Sequence, residues 1–363
     1  MSNSRRYAII GCGMMGREHM RNLALVPDTE LVAIADPDAG SRDAAQKLAG
    51  ELDQRIEAFA DTAEILDASS PDAVIIASPN FTHHAVLKEI MPRGLAILVE
   101  KPLCTTVEHA EEIAAMAADY PALFWVGLEY RYMPPVARFI ERVHAGETGD
   151  VRMMYIREHR FPFLPKVGDW NRFNRNTGGT LVEKCCHFFD LMRHTLRDEP
   201  VRIFASGAQD VNHLDEQYGG EVPDILDNAY VTVDFAGGAR AVLDLCMFAE
   251  GTEQQEEIYA LGAKGRLDVQ IPAANVTWSP RNKSGPIVEH VETPQDALAA
   301  GDHHGATYFQ LRDFHSAIVS GGSPKLSAVD GLRSVQMGAA AQQSIATGLP
   351  VELDFSSSGD SIG

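Results

Sequence analysis

The stretch IIGCGMMG, Ile9 to Gly16, ends an apolar run and opens a helix pattern, and its glycines fall at Gly11, Gly13 and Gly16. G-x-G-x-x-G between a strand and a helix is a phosphate-binding loop. Gly11 permits the tight turn, Gly13 lets a pyrophosphate approach the main chain, and Gly16 lets helix pack on strand. The N–H groups around Cys12, Met14 and Met15 then face the anion at the helix N-terminus. Asp36, twenty residues after Gly16 and at the end of the next apolar run, can accept from both adenosine ribose hydroxyls, which favours NAD. A 2′-phosphate would be repelled there, although Arg42 close behind leaves NADP open.

Outward from this loop, short apolar runs alternate with helical patterns as far as about residue 145: YAIIG, ELVAIAD, DAVIIASP, AILVE and ALFWVG, each followed by a helix. Near-continuous apolar strands in a βα rhythm imply a parallel, doubly wound sheet. After about Asp150 the pattern changes to alternating strands joined by Gly-rich turns, as in NAYVTVDF-AGGA-RAVLDLCMF and EEIYALG-AKG-RLDVQI, with helices near 182–196, 307–320 and 328–347. The expected fold is α/β: an N-terminal Rossmann domain over 1–128, a C-terminal α+β domain with a large, mostly antiparallel sheet over 129–355, and a flexible tail at 356–363. A large antiparallel sheet with helices on one face leaves the other for a partner, so a homodimer or homotetramer through that sheet is expected.

Composition narrows the function. The chain has 363 residues, 45% hydrophobic and 23% charged, with a formal net charge of -20. Such a charge disfavours nucleic acid and anionic membrane, leaving small molecules as partners. The N-terminal apolar run is too short for a signal-peptide core or a membrane span, so the expected compartment is the cytoplasm. Five cysteines without C-x-x-C spacing point to reduced thiols.

Glu100-Lys101-Pro102 follows the AILVE strand, where the carboxyl ends of parallel strands line a ligand crevice. Together with GCGMMG, ADPD around Asp36, ASPNFTHHA (78–85 within it), GLEYRY (127–132), DWNRFNRNTGGTLVEKCCH (169–187) and SGGSPKLSAVDGLRSV, it makes the chain resemble the glucose-fructose oxidoreductase/inositol dehydrogenase (Gfo/Idh/MocA) family over nearly its whole length. The resemblance implies NAD(P)-dependent oxidation or reduction of a hydroxyl on a sugar or cyclitol. It implies that Lys101 holds the reacting hydroxyl and that Glu183 and His187 complete the proton path, with Glu183 standing where relatives more often carry aspartate and Thr180 where they carry a third glycine. By the same resemblance Ser78, Pro79, Asn80, His83, Glu100, Lys101 and Glu129 lie along the cofactor, Trp170 and Arg172 close over the nicotinamide, and Glu129, Tyr130 and His159 face substrate, as do Glu183 and His187.

Hydride transfer from a secondary alcohol needs a group to take the hydroxyl proton. His187 fits as the base, with Lys101 polarising the oxygen and Glu183 orienting the imidazole. In EKCCHFFDL, Glu183 and His187 share a face of a continuous helix, while Cys185 and Cys186 diverge by about 100° and fill space, a geometry poor for one metal ion or a disulfide. His303 and His304 in GDHHGATY read as a solvated loop rather than a metal site, with His304 and Tyr308 kept as substrate contacts; no metal is expected. Two other functions fit the same residues: an NAD-dependent oxidation-elimination glycosidase, and a non-catalytic NAD-binding regulator, against which the presence of both Lys101 and His187 argues.

Overall fold

A computed structural model describes residues 4–282 and 284–355. The tail expected at 356–363 lies outside the described residues. The described residues fall into two compact units, one drawn from Met1–Tyr132, Lys166–Gly168 and Thr293–Val335, the other from Met133–Pro165, Asp169–Glu292 and Gln336–Gly363.

In the first unit β1 (Arg5–Ile10), α1 (Met14–Leu23), β2 (Thr29–Ala35), α2 (Ala39–Glu51), β3 (Glu57–Phe59), α3 (Thr62–Ser69), β4 (Ala73–Ile76), α4 (His83–Ile90), β5 (Ala96–Glu100), α5 (Val107–Ala118) and β6 (Phe124–Gly127) alternate as the apolar runs require. Among the described residues the strands form one six-stranded sheet in the order β3-β2-β1-β4-β5-β6. Every pair is parallel. Its centre is apolar on both faces: Ile9, Val74, Ile75, Ile76, Ile97 and Leu98 are fully buried, as strands covered by helices on both sides must be. The order reverses between β1 and β4, where such sheets place their ligand crevice. The sequence reading omits β3, a three-residue edge strand without a continuous apolar run.

The second unit holds α6 (Pro134–His144), β7 (Val151–His159), two single-turn helices α7 (Asn174–Thr177) and α8 (Thr180–Glu183), and α9 (Cys186–Leu196). Then come β8 (Pro200–Ala208), β9 (Asn228–Phe235), β10 (Arg240–Cys246), β11 (Glu256–Gly262), β12 (Gly265–Ile271), β13 (Asn275–Pro280) and β14 (Ile287–His290). Among the described residues they join one nine-stranded sheet, β14-β13-β12-β11-β7-β10-β9-β8-β15, with β15 at Val351–Glu352. Both expected hairpins form, β9 with β10 and β11 with β12. β7 enters between them and pairs parallel with β10, which makes the sheet mixed rather than uniformly antiparallel. Residues alternate strictly across β7: Met154, Ile156 and Glu158 are buried on the face that carries α9, and Met153, Tyr155, Arg157 and His159 face the other way.

Between β14 and β15 the chain runs through α10 (Gln295–Ala299), α11 (Ala306–Ser320) and α12 (Ala328–Thr347). Thr293–Val335 packs in the first unit, although a boundary at 128/129 assigns it to the second. Phe314 meets the Trp125 ring edge to face at 5.9 Å, the Val126 N–H donates to Leu326 O at 3.0 Å, and the Tyr7 hydroxyl lies 2.9 Å from His315 Nδ1. Those contacts give β1 and β6 a cover that the βα units alone do not supply. No helix among the described residues is long and apolar enough to cross a membrane.

Candidate functional site

The glycine loop divides its three tasks as the spacing demands. Gly11 sits at φ +92°, and a Cβ on it would overlap the main chain of Ala77 and Ser78. A Cβ on Gly16 would overlap Gly11 O, so this glycine is what lets α1 rest on the turn. Around Gly13 nothing of the protein lies within 4 Å of a built Cβ. Its lack of a side chain therefore serves no packing within the fold and leaves the main chain open to a ligand.

Asp36 is held beside that loop. The Cys12 N–H donates to its Oδ2 at 2.7 Å and the Asp38 N–H to its Oδ1 at 2.8 Å, which leaves each oxygen a lone pair for a ribose hydroxyl. Arg42 is turned onto the main-chain oxygens of Asp36 (2.6 Å) and Pro37 (3.0 Å). Open glycine, helix N-terminus and poised acid fit the pyrophosphate and adenosine ribose of NAD, with Met14 and Met15 opening the helix. Cys12 itself contributes main chain: burial, then the Asp36 charge, pushes its thiol up to about 12.

Ser78, Pro79 and Asn80 follow β4. His83 is fully buried, its ring nitrogens 2.9 Å from Pro102 O and 3.0 Å from Ser78 O, so it ties the ends of β4 and β5 together. Burial lowers its pKa and outweighs the two carbonyls, which by themselves favour the doubly protonated ring.

At the end of β5, Glu100 accepts from His19 Nε2 of α1 at 2.7 Å and from the Lys101 N–H at 3.2 Å. Burial pushes this carboxyl up, but the His19 bond and the nearby cations Lys101 and His303 outweigh it and hold it below the usual range. Glu129 follows β6 and is also buried; burial first, then the charge of Glu100, pushes it up to about 7. Lys101 thus stands near one ionised carboxylate and one that titrates near neutrality. Tyr130, beside Glu129, is buried as well.

The reading of His303 and His304 as part of a solvated loop is corrected at His303. His303 Nδ1 lies 2.8 Å from Glu18 Oε1 of α1, the Thr307 hydroxyl donates to the same oxygen at 2.8 Å, and His303 Nε2 is 4.0 Å from Glu129 Oε1. Burial opposes ionisation of Glu18, yet the bonds from His303 and Thr307 hold it at about 2. Nothing in the local sequence around His303 announces a partner 285 residues away. His304 and Tyr308 are half-buried, and Tyr308 packs edge-on to Phe309. Among the described residues no group of ligating side chains could hold a metal ion.

In the second unit the expected continuous helix over 182–196 is interrupted: α8 ends at Glu183 and α9 begins at Cys186. The Lys184 N–H bonds Thr180 O at 2.9 Å and the Cys185 N–H reaches the same oxygen at 3.4 Å, a local widening of the helix. At the break Lys184 Nζ pairs with fully buried Glu158 of β7 at 2.9 Å. The simple four-residue spacing of Glu183 and His187 therefore does not carry across the break, though both are buried within this segment. Cys185 and Cys186 are buried and form no disulfide, and the Cys186 thiol donates to Glu183 O at 3.3 Å. Opposite Glu158 in the register, Glu256 is pushed up to about 7 by burial and then by the Glu158 charge.

Thr180 is buried and donates to Leu226 O at 2.7 Å. Gly179 before it stands at φ +93° with the Gln342 amide where a Cβ would go. His159 is not brought to α9. It points from the opposite face of β7, where its Nε2 meets Asp244 Oδ1 at 3.1 Å while the Tyr155 hydroxyl donates to Oδ2 at 2.6 Å. Trp170 is half-buried, and Arg172 is buried with its Nε donating to Glu216 at 2.9 Å.

Known proteins agree with this architecture. The family described as an oxidoreductase family with an NAD-binding Rossmann fold matches residues 5–128, and its C-terminal alpha/beta domain matches residues 140–353. The chain is similar to a scyllo-inositol 2-dehydrogenase (NAD(+)) of Bacillus subtilis, 28% identical over 359 residues and 98% of each chain. It is also similar to a 2,7-anhydro-N-acetylneuraminate hydratase of Mediterraneibacter gnavus, 22% identical over 82% of this chain and 76% of that one. Among solved structures, an oxidoreductase domain protein from Kribbella flavida superposes with a TM-score of 0.85 at 23% identity, covering 98% and 100% of the two chains.

Two outcomes follow from the geometry. Gly13→Val should leave the melting temperature nearly unchanged while weakening NAD by at least about tenfold, whereas Gly16→Val should unfold or strongly destabilise the protein; calorimetric titration and thermal melts separate them. Glu129 has a folded pKa raised above its unfolded value, so its contribution is full below the unfolded range and is lost as pH rises through about 7. Wild-type melting temperature should fall more between pH 5 and pH 8 than that of Glu129→Gln; parallel profiles would exclude an ionising Glu129.

Proposed function

We propose, for a chain that belongs to the Gfo/Idh/MocA oxidoreductase family, that it transfers a hydride between NAD and a secondary hydroxyl of a sugar, sugar derivative or cyclitol. The observation that carries this reading is Lys101 at the carboxyl end of β5, flanked by buried Glu100 and Glu129, in the sheet whose Gly13 turn and Asp36 form the dinucleotide cradle. Bound NAD supplies the hydride acceptor. The nearby carboxylates favour a charged Lys101, and an ammonium there polarises the substrate oxygen and steadies the developing alkoxide.

His187 is the base that takes the hydroxyl proton, and Glu183 orients its ring or contacts substrate. Glu183, one methylene longer than the aspartate more usual in the family, reaches further from its main chain and sits just before the break at Lys184–Cys185. His159 and Asp244 lie on the other face of the sheet and take no part. That open face exposes Met153, Phe204 and Tyr230. A second copy of the chain covers it in this reading; Tyr230→Lys should then shift the mass seen by light scattering toward the monomer, and an unchanged mass would remove the assignment.

A second reading draws support from the similarity to the anhydro-sugar hydratase: transient oxidation, elimination or hydration, and return of the hydride. It predicts product without net NADH. The discriminating experiment follows nicotinamide absorbance with inositols, monosaccharides, sugar acids, anhydrosugars and glycosides, with NAD and NADP in parallel. NAD binding without turnover of any of them would favour a regulator. Lys101→Ala and His187→Ala should each cut turnover by about 10²- to 10⁴-fold while NAD affinity is kept. Near-normal turnover in either variant would remove its assigned role.

A further inference from the structure

On the face of the second sheet that carries α9, one cross-strand row holds two acids. Glu158 of β7 stands opposite Glu256 of β11, flanked by Leu245 of β10 and Ile271 of β12. All four side chains are buried. The His159 N–H donates to Gln255 O at 2.9 Å, so 159 and 255 form the hydrogen-bonded pair and 158 and 256 the neighbouring non-bonded one. In a non-bonded pair the Cα atoms stand about 4.5 Å apart and the side chains run side by side, the closest approach an antiparallel sheet offers. Two carboxylates at that spacing in an apolar row cannot easily both be charged.

Their four oxygens are unevenly served. Glu158 Oε1 receives Lys184 Nζ at 2.9 Å and Arg160 NH1 at 3.3 Å, and Glu256 Oε1 accepts from the Gln255 amide at 2.7 Å. The two Oε2 atoms are buried and have no hydrogen-bond partner among the described residues. One proton satisfies both: on Glu256 Oε2 it becomes a donor to Glu158 Oε2 and removes one of two like charges. Burial first, then the Glu158 charge, pushes the Glu256 carboxyl up to about 7, against the pull of Lys184 and Arg160. From α9, which packs on β7, the buried ionisable side chains are His187, Asp190 and Arg193.

Lys184 links this pair to the expected proton path. It lies in the break between α8 and α9, directly after Glu183, and its Nζ stands 5.8 Å from the centroid of the Phe188 ring, one residue beyond His187. We propose that Glu158 and Glu256 share one proton and, through Lys184, act as positioning residues for the Glu183–His187 segment. With the proton in place, Glu158 is held at both oxygens and gives Lys184 a fixed counter-ion. Without it, a second buried charge competes for Lys184 and the segment loosens. Neither acid touches substrate. The inference rests on the hydride-transfer reading above and deepens it by naming what holds its base in place.

Glu256 has a folded pKa raised above its unfolded value, so its contribution is full below the unfolded range and is lost as pH rises through about 7. Infrared difference spectra of wild type against Glu256→Gln should therefore show the carbonyl stretch of a protonated carboxyl at pH 6 and lose it by pH 9. Over the same range, amide hydrogen exchange across 180–190, corrected for its intrinsic pH dependence, should lose roughly tenfold protection in the wild type. Glu256→Gln, whose amide donates to Glu158 at every pH, should stay within about twofold, and Glu256→Ala should be loose already at pH 6. With NAD and the substrate panel above, wild-type kcat relative to Glu256→Gln should fall from about one at pH 6 to about one-tenth at pH 9, with the KM for NAD unchanged. Absence of the carbonyl band, or parallel exchange and kcat profiles in wild type and Glu256→Gln, would overturn the proposal. Loosening in Glu256→Ala that spreads evenly over the sheet instead of centring on 180–190 would overturn the positioning role. If the wild type turns over no member of the panel, the dehydrogenase reading falls, and the infrared and exchange results by themselves uphold or overturn the shared proton and its hold on the segment.

Discussion

The first unit depends on three chain segments meeting without side chains between them. β1 ends at Gly11 against Ala77–Ser78 at the end of β4, and α1 begins with Gly16 against Gly11 itself. Each contact is closer than a Cβ permits, so the switch point of the sheet can exist only with glycine there. From this packing the rest is placed in order. α1 presents its N–H groups beside Asp36, its second turn brings Glu18 and His19 inward, and His83 ties β4 to the turn after β5 where Lys101 stands.

Having drawn acids inward, the fold must resolve their charge. Glu100 keeps its ionised form because a hydrogen bond from His19 outweighs desolvation, and Glu18 does so through His303 and Thr307. Glu129 has weaker compensation and adds to the field of Glu100, so its proton stays on until near neutrality. One buried group near Lys101 therefore changes charge within the physiological range, while its neighbours keep theirs.

The second unit meets a similar problem beside a break in its main chain. Lys184 turns inward to Glu158 Oε1, which also receives Arg160 NH1 at 3.3 Å, and removing one partner of such a buried ion pair costs about 3–5 kcal/mol. The helix breaks at Lys184–Cys185, where that pair forms. Around this break, Gly179 makes room for the Gln342 amide, whose Nε2 also bonds Gly178 O at 2.7 Å, and Thr180 anchors the 209–227 connection. The Thr180 hydroxyl thus fastens that connection, between β8 and β9, to the segment bearing Glu183.

Much of this was legible in the amino-acid order alone. Apolar runs such as AVII and AILV, the G-x-G-x-x-G spacing and Asp36 after the next run are local patterns, since a βα unit buries what lies within a few residues of itself. The paired hairpins of the second sheet are local in the same way. What the tertiary structure alone decided are contacts between residues far apart: Glu18 with His303, Lys184 with Glu158, Arg172 and His213 on Glu216, and β7 lying parallel to β10. None of these has a periodicity or a spacing, because each is fixed by the need to neutralise or hydrogen-bond a group after the fold has buried it. So the sequence determined the cradle and its sheet, and burial decided which charges stand around Lys101 and beside the helix break before His187.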